Sequence, residues 1–326
     1  MNRSMASVMD DVLDRVEIDL RAGSVRLDGS YAEEREQRDL VRRLSTLVYE
    51  HLHVGHRVDD GLDVSAARDF DYERELAETL AGHTVRQRVP LHGLDDTHAV
   101  VNHLGLRVRV PVESVTVPPG QTSAAELEVP VLAPALSPGF ALARGADQPT
   151  DGGPMLRLYL GAQTRDDATE VYLRVLDQLH GRRRWQAKVA SQTRLYPRSD
   201  AVTVYLHVDD LDAVGAVVGA ARRPEAAEAP TSVFTLRLAP GVGCAWEPDQ
   251  PHGRKHAVSF GQHRARVLAQ LLVARADGTW HPGDTAEACR RKGIDPGDVW
   301  RNVTSPVLKL LHRPVQARPA ALAGHQ

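Results

Sequence analysis

Lysine is scarce in this chain: of its 40 basic residues only four are lysines, Lys188, Lys255, Lys292 and Lys309. Heavy use of Ala, Arg and Val points to a GC-rich coding sequence, so a lysine kept inside a strand stands out against the bias. Cysteine is scarcer. Cys244 and Cys289 lie far apart without metal-ligand spacing, which excludes a disulfide framework and fits a reducing compartment. Each reads as a small buried apolar residue. No charge excess dominates either: the net charge is −3, so no global basic field recruits nucleic acid. Mean hydropathy is −0.33, and no apolar run approaches the ~20 residues that span a bilayer. The acidic first 19 residues lack the apolar centre of a signal peptide, and the expected location is cytoplasmic. The sequence also has no Gly-rich phosphate loop and no His-Arg-Asp loop, so it is not itself a kinase.

What remains is ample for a core: 326 residues, 42% hydrophobic, 25% charged, enough for about two lobes. The first hundred residues read as helical. Val8, Val12, Leu13, Val16 and Leu20 recur at helical spacing, as do Leu40, Leu44, Leu47 and Val48, and a third helix is expected over 68–83. Strands are expected across 106–142, broken at Pro118-Pro119-Gly120 and Ser137-Pro138-Gly139. A polar, Gly/Pro-rich stretch at 144–154 suggests a boundary. Beyond it the order is strand (155–160), helix (166–179), strands (185–191 and 202–208), helix (210–221) and strand (233–238), the split β-α-β-β-α-β arrangement. Ser259 then caps a helix over 259–276. The expected fold class is α+β: a helical N-terminal lobe (1–150), a ferredoxin-like antiparallel sheet lobe with added C-terminal helices (151–312), and a flexible tail (313–326).

Strand alternation sorts these residues onto two faces. Leu156, Leu158, Leu160, Ala187, Val189, Val204 and Leu206 belong under the helices. The other face collects Arg157, Tyr159, Lys188, Tyr205, His207 and Arg237, a set suited to an anion. An ordinary solvated face is the competing reading; against it, none of these strand positions is a carboxylate. His252 with His256, and His51, His53 and His56, cluster without the acidic or Cys partners that complete a zinc site, so no metal is expected. The third strand lacks the Gly-and-aromatic signature of RNA-recognition modules with the same strand order.

Several motifs resemble the Hop-A type III effector family: Leu47-Val-Tyr-Glu-His-Leu-His-Val-Gly55, Leu136-Ser-Pro-Gly-Phe140, Arg157-Leu-Tyr-Leu160, Lys188 followed by Tyr196-Pro-Arg-Ser-Asp200, Leu238-Ala-Pro-Gly241, Glu247-Pro248 and Ser259-Phe-Gly-Gln-His-Arg264. Their order and spacing cover most of the chain. The resemblance implies either an effector injected into host cells or a stand-alone lyase of ribosomal-peptide pathways such as class V lanthipeptides and thioamitides. In the second case a separate phosphotransferase or kinase-like partner phosphorylates Ser or Thr of a precursor peptide. The Hop-A-like protein then eliminates phosphate, leaving dehydroalanine or dehydrobutyrine, without a cofactor. A non-catalytic protein that holds the leader peptide or the kinase is a further alternative.

Elimination needs a base for the α-proton and cations or an acid at the departing phosphate. Arg157, Arg194, Arg198 and Arg264 are the phosphate candidates, since a planar guanidinium grips two oxygens; Tyr196 is placed beside them. By similarity to phosphothreonine lyases, where a lysine base and a histidine acid recur, Lys188 is the candidate base. His207, His53 and His263 are the candidate acids, each with a structural alternative. Asp200 and Glu247 are expected to orient the arginines, with Tyr159 and Tyr205 on the same face.

Overall fold

A computed structural model describes residues 3–33, 37–55, 69–137, 139–147, 153–249, 258–281 and 283–306. The expected tail, His56, His252 and His256 lie outside the described residues, as does much of the expected boundary. The chain opens on α1 (Met5–Leu13), followed by a small antiparallel sheet of β1 (Val16–Asp19), β2 (Ser24–Leu27) and β3 (Ser30–Glu33). Helix α2 (Gln37–Val48) runs into a wide π-helical turn, Tyr49–Val54, which ends at Gly55 with φ 102°. Only glycine suits that left-handed position, and a Cβ there would also meet Pro230 Cβ at 2.8 Å.

After α3 (Phe70–Thr79), five strands form a second antiparallel sheet: β4 (Thr84–Leu94), β5 (His98–His103), β6 (Leu106–Pro111), β7 (Val115–Thr116) and β8 (Ala124–Pro130), in the order β6-β5-β4-β8-β7. Here the structure departs from the helical reading of the first hundred residues. Thr84–Leu94 buries Gln87 and Val89 and exposes Arg86, Arg88 and Pro90, a period of two rather than of 3.6. Ala99, Val101, Ala125, Leu127 and Val89 form this sheet's own small core.

The remaining strands, β9 (Leu132–Ser137), β10 (Phe140–Arg144), β11 (Met155–Ala162), β12 (Trp185–Ala190), β13 (Arg198–His207), β14 (Leu236–Ala239) and β15 (Val242–Trp246), make one sheet in the order β14-β15-β11-β13-β12-β10-β9. Helices α4 (Arg165–Leu179) and α5 (Val214–Ala220) are its crossovers. The fold is α+β with the split ferredoxin-like core, as expected. One strand of that core was misplaced. The neighbour of β11 is β15, not the segment 233–238, whose last residues form an edge strand outside it. Val233 and Phe234 instead lie in the turn held by the Ser232 hydroxyl, which accepts from Phe234 N.

Leu156, Leu158, Ala187, Val204 and Leu206 pack under Val171, Tyr172, Val175, Val217 and Val218 of α4 and α5. The opposite face is covered as well. Helix α6 (Phe260–Ala276), capped by a reciprocal Ser259–Gln262 pair, packs on α2 and on the π turn, and the π turn packs on β13. Helix α7 (Asp284–Arg291) joins α1 and α6. The polar face is therefore roofed rather than open, and one core runs from Met5 and Leu40 through Leu156 to Leu268.

Candidate functional site

The strand registers fix which side chains meet. Tyr159 lies opposite Thr203, and Thr203 opposite Lys188, so these three form one row across β11, β13 and β12; Arg157, Tyr205 and Gln186 form the next. Lys188 and Arg157 thus share a face, two strand spacings or about 10 Å apart in the pairing direction. Arg237 occupies the exposed end of the first row, beyond Gly243.

Two carboxylates reach this face. Glu247, arriving just after β15, takes both Nε and Nη2 of Arg157, and Asp200, at the irregular start of β13, accepts from Arg198 Nε at 2.7 Å. Arg157 is consequently not a free clamp: Nη1 is what it has left, and its guanidinium stacks 4.9 Å above the Tyr205 ring. Asp200 and Glu247 do orient the arginines, which was their expected part. Lys188 differs. Its ammonium sits 4.0 Å from the centre of the Phe140 ring, a platform shared with Arg198 at 5.2 Å, and has no hydrogen bond or ion pair among the described residues.

Above the row, the π turn drives His53 into the molecule, where it is 2% exposed. Its Nδ1 shares a hydrogen bond of 2.8 Å with Ser232 Oγ, and its carbonyl accepts from the Ser199 hydroxyl. Its ring meets Tyr159 edge-on at 5.2 Å and touches Tyr49 and Phe260. A Cβ on Gly261 of α6 would fall 2.1 Å from that ring, so the helix must be glycine where the imidazole rests. The extra residue in a π turn is what shifts His53 off the regular helical register and onto Gly261.

Electrostatically the cluster is tightly coupled. Burial, helped by Arg198, Arg157 and Lys188 against the pull of Asp200, pushes His53 down to about 4. Burial opposes ionisation of Asp200, but Arg198, His53 and Lys188 outweigh it and hold the carboxyl well below its usual range. Burial likewise raises the Tyr49 and Tyr159 phenols. Two buried hydroxyls in the Lys188 row, Tyr159 Oη and Thr203 Oγ1, have no hydrogen-bond partner of good geometry among the described residues, and Tyr159 lies beside the Arg157 guanidinium.

Other expected site residues lie elsewhere. His207 closes β13 beyond Tyr205; its Nδ1 accepts from Asp209 N at 3.2 Å and its ring is boxed in by Gly153. His263 points at Arg264, at 2.6 Å, and burial with Arg264 and Lys292 lowers it to about 4. Arg264 is engaged with the fold. Fully buried, it donates to the carbonyls of Val299 and Arg301 and to Asn302 Oδ1, tying the C-terminal described segment to α6. Arg194 is exposed on a short 3-10 turn, Thr193–Leu195. The Tyr196 hydroxyl is spent on the Ala190 carbonyl at 2.7 Å. Sequence reasoning missed Tyr49, Phe140, Thr203, Ser232, Phe260 and Gly261; the first two and last two lie inside motifs already noted, which was the available signal.

Arg264→Met is expected to destabilise the fold by about 1–3 kcal/mol in denaturant titration, because the buried Val299 and Arg301 carbonyls and Asn302 Oδ1 lose their donor. Phosphate binding to the folded variant should be unchanged. A loss of anion binding without loss of stability would return Arg264 to the site.

These features define an α+β protein with a roofed, ion-paired polar sheet face that has one unengaged lysine. The sequence profile of the HopA1 effector protein family matches residues 131–301, just over half of the chain, and the chain belongs to that family. No curated protein matches it. Among solved structures it is similar to the effector protein from Pseudomonas syringae pv. tomato strain DC3000, at 12% identity and a TM-score of 0.45, covering 82% of this chain and 90% of that one. It is also similar to the effector protein from Pseudomonas syringae pv. syringae strain 61, at 14% identity and a TM-score of 0.44, covering 82% and 93%. Among the described residues no helix is long and apolar enough to cross a membrane, and no group of three metal-ligating side chains is present.

Proposed function

We propose that this chain is a lyase that eliminates phosphate from phosphorylated Ser or Thr of a ribosomally made precursor peptide, working after a separate phosphotransferase-like protein and in the cytoplasm. The observation that carries the reading is the row Tyr159, Thr203 and Lys188: two buried hydroxyls beside a lysine with no ion pair among the described residues, flanked by Arg157 and Arg198. A phosphoryl group supplies the acceptor oxygens that the hydroxyls lack. Arg157 Nη1 and the terminal nitrogens of Arg198 neutralise its charge, while Glu247 and Asp200 hold both guanidinium groups still. Lys188 Nζ, entering the step as the free amine, takes the Cα proton. The pair of the Cα–H bond forms the Cα–Cβ double bond as the Cβ–O bond breaks, and the pair of the Cβ–O bond leaves on phosphate. His53, protonated as the dianion enters, delivers the balancing proton.

The test is mass spectrometry of a synthetic phosphothreonine peptide incubated with the protein. Loss of phosphoric acid is expected; an unchanged peptide, with and without a phosphotransferase-like partner, would sink the lyase reading. The family's description favours a second one, an effector that acts inside a host cell, on the same polar face or by binding alone. Secretion into a host with no turnover of phosphopeptide would support that outcome.

A further inference from the structure

We propose that the chain has a second binding site: a cleft at the α4 end of the seven-stranded sheet that takes an extended acidic peptide segment bearing aliphatic side chains. The cavity holds about 260 Å³ and lies where the start of β4, the β8–β9 link and the α4–β12 turn converge. Its floor is apolar: Val85, Val131, Ala146, Leu176 and Trp185. Its rim is basic: His83, Arg86, His180, Arg182 and Arg183. Among the described residues no Asp or Glu lines it.

Not every rim cation is available. Arg182 is held by Asp212 and Arg183 by Asp147, both from outside the cleft. Arg86 has no ion pair among the described residues. The carboxylate across the ladder from it, Glu128, accepts from Thr84 instead. His83 and His180 meet edge to face at 6.5 Å; His83 Nε2 lies 4.0 Å from Asp177, and its buried Nδ1 completes no hydrogen bond. Arg86 and two imidazoles thus surround an aliphatic pit, one of them with a ring nitrogen still to satisfy. A carboxylate side chain answers the rim and a neighbouring Leu or Val answers the floor.

A nucleic acid fits less well. One unpaired arginine neutralises little backbone charge, and Trp185 is 3% exposed with its indole nitrogen donated to the Arg182 carbonyl, so no ring is offered for stacking. The cleft is also separate from the polar face. Trp185 and Lys188 are three positions apart on β12 and project to opposite faces, about 10 Å along the strand. A peptide held in the cleft could therefore be recognised by one segment and modified at another.

The test is fluorescence anisotropy of a fluorescein-labelled octapeptide alternating Glu and Leu, titrated with the full chain. Saturable binding is expected, weakened at least tenfold when Lys replaces Glu in the peptide or when the protein carries Arg86→Glu with His180→Glu. Should that double variant not fold, Arg86→Gln on the exposed rim is expected to weaken binding about threefold. Lys188→Ala should leave the affinity unchanged, so the outcome does not depend on elimination. Equal binding of the acidic and basic peptides, undiminished binding to the rim variants, or stronger binding of a labelled oligonucleotide would each overturn the proposal.

Discussion

Lys188→Ala is expected to abolish elimination of phosphate from a phosphothreonine peptide, lowering the rate by about 10² to 10⁴, the usual cost of removing a general base. The fold should survive. Lys188 is half-buried, makes no hydrogen bond, and its one defined contact is the Phe140 ring, worth about 0.5–1 kcal/mol at such a site. Lys188→Arg should be equally inactive, because a guanidinium keeps its charge and cannot accept the proton. In both variants inorganic phosphate should still raise the melting temperature, since Arg157 and Arg198 remain oriented by their carboxylates. Turnover that persists in the alanine variant would take lysine out of the mechanism, and loss of phosphate stabilisation alone would reassign it to binding.

Strand alternation made the Lys188 face legible from sequence because it is a local property: Arg157, Tyr159, Lys188 and Tyr205 need only the period of two and a correct strand order. The same arithmetic could not reach Glu247 or Asp200. Glu247 follows a strand, β15, whose Val-Gly-Cys-Ala-Trp run is buried throughout and shows no alternation, so neither the strand nor the residue after it announced its place. Asp200 stands where the β11–β13 register shifts, and a shifted register moves a side chain to the other face. His53 was named among three candidate histidines, but nothing in the spacing distinguished it. What distinguishes it is tertiary: a π turn and a glycine 208 residues later in the chain that accept its ring.

The carboxylates change what the face does. A row of bare cations would bind any anion and hold it. Here Glu247 and Asp200 offset most of the charge of Arg157 and Arg198, and the two guanidinium groups serve as oriented donors to the anion. Release of phosphate after reaction is easier from such a site than from an unpaired arginine cluster, because each guanidinium keeps its carboxylate throughout and no bare cation is left behind.

His53→Phe is expected to lower elimination by about 10² to 10⁴ as well, since it removes the proton donor to the leaving phosphate while keeping a ring against Gly261. The pH dependence of stability separates this role from simple packing. His53 titrates near 4 in the folded chain and near 6.5 when unfolded. Above pH 6.5 it is neutral in both states and contributes nothing. As the pH falls from 6.5 to 4, the unfolded chain takes a proton that the folded one refuses, so stability is lost, by on the order of 3 kcal/mol for a shift of this size. His263, lowered to the same region, adds its own loss, so the His53→Phe variant should retain part of the fall and not all of it. Phosphate supplies the decisive comparison. A dianion among Arg157, Arg198 and Lys188 joins Asp200 in opposing the burial and the cations that depress His53, so binding should take up a proton, and the acid-side loss should shrink in the wild-type chain but not in His53→Phe. Melting temperatures from pH 4 to 7, with and without phosphate, check this directly. If phosphate flattens the profile equally in both chains, the proton goes to another group, and His53 is a core histidine that holds the π turn onto α6.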